Sequence, residues 1–231
     1  GAGGTGWSPG VAPVTDALKP LPWQEELWLR MTTQVIQQRL PHALLFIGPR
    51  GVGKRHFAYA LTAFLLCENR SGYACGNCRS CVQLAAGSHP NSIILQRRAD
   101  EKTGKLKRDI AIDQVRELGE SLALSSHYGQ SRVALIDPAD ALNHNGINAL
   151  LKTIEEPPAG AFLILISERS QALPATLRSR CQRLRFTPPA HQMSMSWLDT
   201  EPSSAADALE QAQGAPLRAR EMLDAGLIAR G

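Results

Sequence analysis

The sequence has no apolar run near the roughly 20 residues that a membrane-spanning helix needs. Its start, Gly1 to Pro20, lacks the basic residues and apolar core of a secretory signal. That stretch is rich in Gly and Pro instead, so a loose tail is expected over residues 1–21 and a cytoplasmic location for the chain. Strong charge of either sign is also missing. Lys and Arg number 25, Asp and Glu 21, and the net charge of +4 is too mild to argue for a dedicated nucleic-acid reader. There is no internal repeat and no low-complexity tract. What remains is an ordinary globular chain of 231 residues, 43% hydrophobic and 20% charged. It is long enough for one sizeable core and a small second unit.

The most informative stretch runs from Ala43 to Arg55. Ala43-Leu44-Leu45-Phe46-Ile47 reads as a buried strand, Gly48 to Gly53 as a tight turn, and Lys54 as the start of a helix. This spacing fits a phosphate-binding loop up to its last place. Gly48, Gly51 and Gly53 let successive N–H groups turn inward as an anion nest, the helix adds its positive end, and Lys54 would reach the outer phosphates. The last place wants a Ser or Thr hydroxyl for Mg²⁺, and position 55 is Arg. A second apolar strand, Val133-Ala134-Leu135-Ile136-Asp137, ends in an acid that would lie beside the loop and could hold Mg²⁺.

Of five cysteines, Cys67, Cys75, Cys78 and Cys81 are bunched as C-x7-C-x2-C-x2-C. Four thiolates at such spacing can close on one tetrahedral zinc. The competing disulfide framework needs an oxidising compartment, and no export signal points to one. A closed four-sulfur shell leaves no place for a water, so this zinc would hold a loop rather than catalyse. Cys181 stands apart and is not expected to be a ligand.

Elements alternate along the rest of the chain. A helix is expected from Pro22 to Arg39, with Leu27, Leu29, Val35, Ile36 and Leu40 at helical spacing, and another from Gly53 to Leu66 with Phe57, Ala60, Leu61 and Leu65 on one side. Ser92 to Leu95 is a short strand. The basic stretch from Arg97 to Arg108 is interrupted by Asp100 and Glu101 and reads as a solvated, mobile loop. A helix over Ile112 to Leu124, a helix over Asn145 to Glu155 stopped by Pro157-Pro158, a strand over Phe162 to Ser167, a short helix over Leu173 to Ser179 and a strand over Gln182 to Phe186 follow. Strands separated by helices predict a parallel α/β sheet. Thr187-Pro188-Pro189 is the best linker. Beyond it helices are expected over His191–Leu198, Ala205–Gln213 and Leu217–Leu227.

Four features together resemble the AAA+ clamp-loader family: the strand and loop at Leu44 to Arg55, the four-cysteine insert after the first loop helix, the run Asn148-Ala149-Leu150-Leu151-Lys152-Thr153-Ile154-Glu155-Glu156-Pro157-Pro158, and Thr176-Leu177-Arg178-Ser179-Arg180-Cys181 with its Ser-Arg-Cys motif. The resemblance covers roughly Pro22 to Leu227. It implies a RecA-like parallel sheet flanked by helices over residues 22–186, a zinc module inserted at about 67–89, and a helical lid over 187–231. The family's collar domain is expected to be absent from this chain. The family also implies a ring that opens a sliding clamp and loads it on primed DNA. Arg180 would then act in trans as an arginine finger at the ATP site of a gamma/tau-type ATPase subunit, with a clamp-opening delta subunit elsewhere in the ring.

Two departures from the family pattern bear on activity. An active member has Ser or Thr where this chain has Arg55, and a Glu after the acidic strand where this chain has Pro138. Proline cannot orient a water. The implied function is a structural, non-hydrolysing subunit of a DNA polymerase holoenzyme, with zinc as a structural metal and no use of ATP and Mg²⁺ in cis. Gly48, Gly51, Gly53, Lys54 and Asp137 would be a degenerate nucleotide site. The alternatives are an active AAA+ ATPase subunit using a substitute base, and a zinc-dependent DNA-binding module.

Overall fold

The computed structural model describes residues 16–100, 102–123 and 131–227. Its centre is a five-stranded sheet of β1 (Ala43–Ile47), β2 (Ser92–Leu95), β3 (Arg132–Ile136), β4 (Ala161–Ser167) and β5 (Gln182–Arg185). The strand order is β2-β3-β4-β1-β5, and each neighbouring pair is parallel. β1 and β4 are near-continuous apolar runs because both of their faces are covered. Leu44 pairs with Ile164 and Leu45 with Leu165. Alternation then divides the core. Leu44 and Phe46 face one layer with Phe57, Leu61 and Phe64, while Ala43 and Leu45 face the other with Leu118, Leu150 and Leu177.

The first layer holds α1 (Glu25–Ile36) and α2 (Lys54–Leu66). All of α2 is buried except Arg55. The one-sided stripe expected for it is therefore too narrow, because the sheet covers one side of this helix while α1 and the cysteine segment cover the other. The expected face of α1 also needs correction. Leu29 and Ile36 point to solvent, Trp28, Met31 and Val35 are buried, and the helix ends at Ile36. The large Trp28 ring sets this rotation by meeting the rings of Phe57, Phe64 and Tyr73 at 5.6–5.9 Å.

Within the cysteine segment lies α3 (Arg79–Ala85). The second layer holds α4 (Ile112–Ala123), α5 (His144–Glu155) and α6 (Ala175–Arg180). Asn143 caps α5 by accepting from the Gly146 N–H at 2.8 Å. Beyond residue 187 come α7 (His191–Leu198), α8 (Pro202–Gln211) and α9 (Pro216–Asp224). α8 and α9 both begin on proline, whose fixed φ suits a first turn, rather than at the expected Ala205 and Leu217. They bury a small alanine-rich core of Ala205, Ala208, Leu209 and Ala219.

Residues 1–15 of the expected tail lie outside the described residues, whereas Ala17, Leu18 and Leu21 are buried. The basic stretch closes into a short hairpin. Asp100 N–H donates to the Lys105 carbonyl and Lys107 N–H to that of Arg98, and the Asp100 carboxylate accepts from the Lys102 and Thr103 N–H groups. Its basic side chains are solvated as expected.

Candidate functional site

β1 delivers the loop 48–53 to the carboxyl edge of the sheet, where ligands bind in open α/β folds. Gly51 and Gly53 have φ of +84° and +93°, values that side chains disfavour. Their missing Cβ atoms also permit close approach. A Cβ on Gly51 would stand 2.6 Å from Arg218 Cβ, and one on Gly53 would stand 2.5 Å from Gln24 Nε2.

These neighbours hold the loop from outside. Trp23 Nε1 donates to the Val52 carbonyl at 3.1 Å, and Gln24 Nε2 donates to Val52 and Gly53 at 3.2 and 3.1 Å. Leu217 N–H, in the first turn of α9, donates to the Gly51 carbonyl at 3.0 Å. Arg50 pairs with Glu221 at 3.2 Å. Trp23 meets Trp197 edge-on at 5.4 Å, and the Arg220 guanidinium lies 5.5 Å from the Trp197 ring centre. Nothing in the sequence pattern marked Trp23, Gln24 or Leu217, since each reaches the loop across a long stretch of chain.

Lys54 bends back over its own loop. Its Nζ donates to the carbonyls of Gly48 and Pro49, both at 2.6 Å. Burial favours the neutral amine and brings its pKa down to about 8, with the Glu168, Asp137 and Asp140 carboxylates resisting that fall. Lys54 is therefore a cation at neutral pH.

Arg55 Nε stands 2.5 Å from Asp137 Oδ2, and Nη2 donates to Oδ1 at 3.3 Å. Asp137 is buried while Arg55 is half-exposed. The cation sits against the acid that the sequence pattern offered as a Mg²⁺ ligand, and position 138 is a proline, with no side-chain base. The next acid along, Asp140, has no signal in the sequence that distinguishes it from a surface acid. It accepts from Ser167 Oγ at 2.7 Å and from the Glu168 N–H at 2.9 Å, tying β4 to the segment after β3.

Arg180 ends α6. Its Nε pairs with Glu155 Oε1 at 2.9 Å and its Nη1 donates to the Thr176 carbonyl at 3.1 Å. These contacts tie it to α5 and α6 and not to the loop 48–53.

The four clustered cysteines meet. Cys67 and Cys78 sulfurs are 3.9 Å apart, Cys75 and Cys81 4.0 Å, and all four lie within 4.8 Å of one another. A tetrahedral zinc at about 2.3 Å from each sulfur needs sulfurs about 3.8 Å apart, so the cage fits that ion. Backbone N–H groups already point at the sulfurs: Cys75 to Cys67 at 3.2 Å, Cys78 to Cys75 at 3.3 Å and Cys81 to Cys78 at 3.5 Å. Such donors favour thiolates. Burial pushes the Cys75 thiol up, but the Asn77 and Cys78 N–H groups outweigh it and bring it to about 7. Cys181 is elsewhere, in the core beside Leu177, where burial pushes its thiol up to about 11.

Residues 23–190 match the family described as DNA polymerase III, delta subunit. The DNA polymerase III subunit delta′ of Pseudomonas aeruginosa is 37% identical over 212 residues, covering 89% of this chain and 62% of the relative. The protein of that name from Escherichia coli is 36% identical over 189 residues, covering 81% of this chain and 55% of the relative. The chain thus spans about three-fifths of the length of these relatives. A solved structure, the Thermotoga maritima RuvB Holliday junction branch migration motor, superposes with a TM-score of 0.52 at 17% identity, over 87% of this chain and 59% of that one. That likeness is one of fold. No described helix is long and apolar enough to cross a membrane.

Proposed function

This chain belongs to the DNA polymerase III delta′ family, and on that premise we propose that it is a non-hydrolysing subunit of a bacterial sliding-clamp loader. It stiffens the ring and lends Arg180 to the ATP site of an adjacent subunit. The observation that carries this reading is the Arg55–Asp137 pair. A guanidinium is a permanent cation with a planar fork that suits a carboxylate. Mg²⁺ would have to displace it from a buried acid, at the cost of leaving Arg55 beside the metal. With Pro138 in place of a base, the attacking water has nothing there to orient it.

The loop 48–53 then serves architecture. α9 and the segment before α1 grip its carbonyls from outside, so residues 187–231 act as a lid fixed to the domain of residues 22–186. Zinc held by Cys67, Cys75, Cys78 and Cys81 would supply a closed structural cross-link over residues 67–89. No proton or substrate passes through it.

Arg180 does its chemistry across an interface. Charge builds on the γ-phosphoryl oxygens during transfer, and a positioned guanidinium stabilises it. The partners are a gamma/tau-type ATPase subunit, served by Arg180, and a clamp-opening delta subunit. The sliding clamp and primed DNA are met through the complex, in the cytoplasm. In a loader reconstituted with this chain, Arg180→Ala is expected to slow ATP turnover at the site it serves by about 10³ or more while this subunit stays folded. Unchanged turnover would remove the trans role.

A further inference from the structure

Gly48 and Pro49 also line an open cleft of about 410 Å³. Arg178, Arg183 and Arg185 line the same cleft, and no Asp or Glu among the described residues does. Two of these arginines alternate along the edge strand β5, on the side away from the buried Leu184, so the pleat aims both the same way. Arg178 comes from the last turn of α6. Among the described residues none of the three forms an ion pair, although Arg50, Arg55, Arg98, Arg116 and Arg180 all do. Arg178 Nε is in addition buried with no hydrogen-bond partner among the described residues.

An edge strand often carries basic residues merely to discourage pairing with another sheet. That accounts for Arg183 and Arg185 but not for Arg178, which is on a helix and has a buried donor unmet. Three like charges sharing a cleft repel one another, and an unmet buried donor adds a desolvation cost. An anion with several oxygens relieves both. Guanidinium forks bind such oxygens in pairs, and three of them suit two linked phosphates better than a single carboxylate.

We propose that this cleft is an anion site for a diphosphate, either free pyrophosphate or the diphosphate of a nucleotide, and that it is separate from the nest above Lys54. The inference does not rest on the clamp-loader reading.

Isothermal titration of the chain with inorganic pyrophosphate tests it. Saturable binding is expected, weakened at least tenfold in an Arg183→Gln, Arg185→Gln double variant. Both positions are exposed, so that variant should keep the parent melting temperature. Lys54→Gln is expected to change the affinity less than threefold. Displacement of pyrophosphate by ADP would identify a nucleotide as the source, and failure to displace it would identify the free ion. Absence of saturable binding overturns the proposal. So does binding that survives the double arginine substitution and vanishes with Lys54→Gln, because it would then belong to the loop.

Discussion

Arg55 and Asp137 form an ion pair beside the loop 48–53, with Nε 2.5 Å from Oδ2 and Nη2 donating to Oδ1 at 3.3 Å. Arg55→Thr should uncover the Asp137 carboxylate, which is 2% exposed. An uncompensated buried charge is costly, but the arginine is more than half exposed, so a loss of about 1–2 kcal/mol is expected in urea unfolding with EDTA present. Mg²⁺ should restore part of it, because the introduced hydroxyl and the freed Asp137 carboxylate would then both be available as ligands. Equal stability of variant and parent would show that the pair does not hold the acid.

Chelation should be felt throughout the segment 67–89. Protein prepared without chelator is expected to hold one zinc per chain by elemental analysis. Cys75→Ser should lower the melting temperature by about 5–10 °C, in line with the loss of a structural metal from a chain of this size. A metal content far below one per chain would contradict the cage.

Lys54 predicts a pH effect of definite sign. Its proton leaves near pH 8 in the fold and near 10.5 in the unfolded chain. Between those values the unfolded state binds more protons, so this residue makes stability rise with pH over that window. The stability difference between parent and Lys54→Met should therefore grow in the parent's favour from pH 8 to 10.5. Parallel pH profiles would mean that Lys54 is not desolvated.

Glu155 holds Arg180 at 2.9 Å, so it is expected to be a positioning residue for the trans role. In a reconstituted loader, Glu155→Gln should slow ATP turnover only a few-fold, well short of Arg180→Ala. Glu155→Asp, which keeps the charge, should recover part of the loss. Turnover unchanged in Glu155→Gln would reduce the pair to a surface contact.

Strands β1, β3 and β4 were legible because burial on both faces leaves an unbroken apolar run, and the four cysteines because their spacing is itself the geometry of a metal cage. The face of α1 was not, because spacing alone does not weigh one Trp28 against Leu29 and Ile36. α8 and α9 start earlier than periodicity suggests because proline suits a first turn, whatever the apolar pattern. Contacts that join distant parts of the chain had no local signal. The grip of Gln24 and Leu217 on the loop depends on where α1 and α9 dock, and the alliance of Arg55 with Asp137 spans 82 residues. The sequence did show a cation where a hydroxyl should be. It did not show that the cation finds the acid.

Steady-state ATP hydrolysis by the purified chain in Mg²⁺, with Lys54→Ala alongside, separates a non-hydrolysing subunit from an active ATPase. Parent and variant are expected to turn over ATP at the same background rate. Brisk hydrolysis by the parent, abolished in Lys54→Ala, would contradict it.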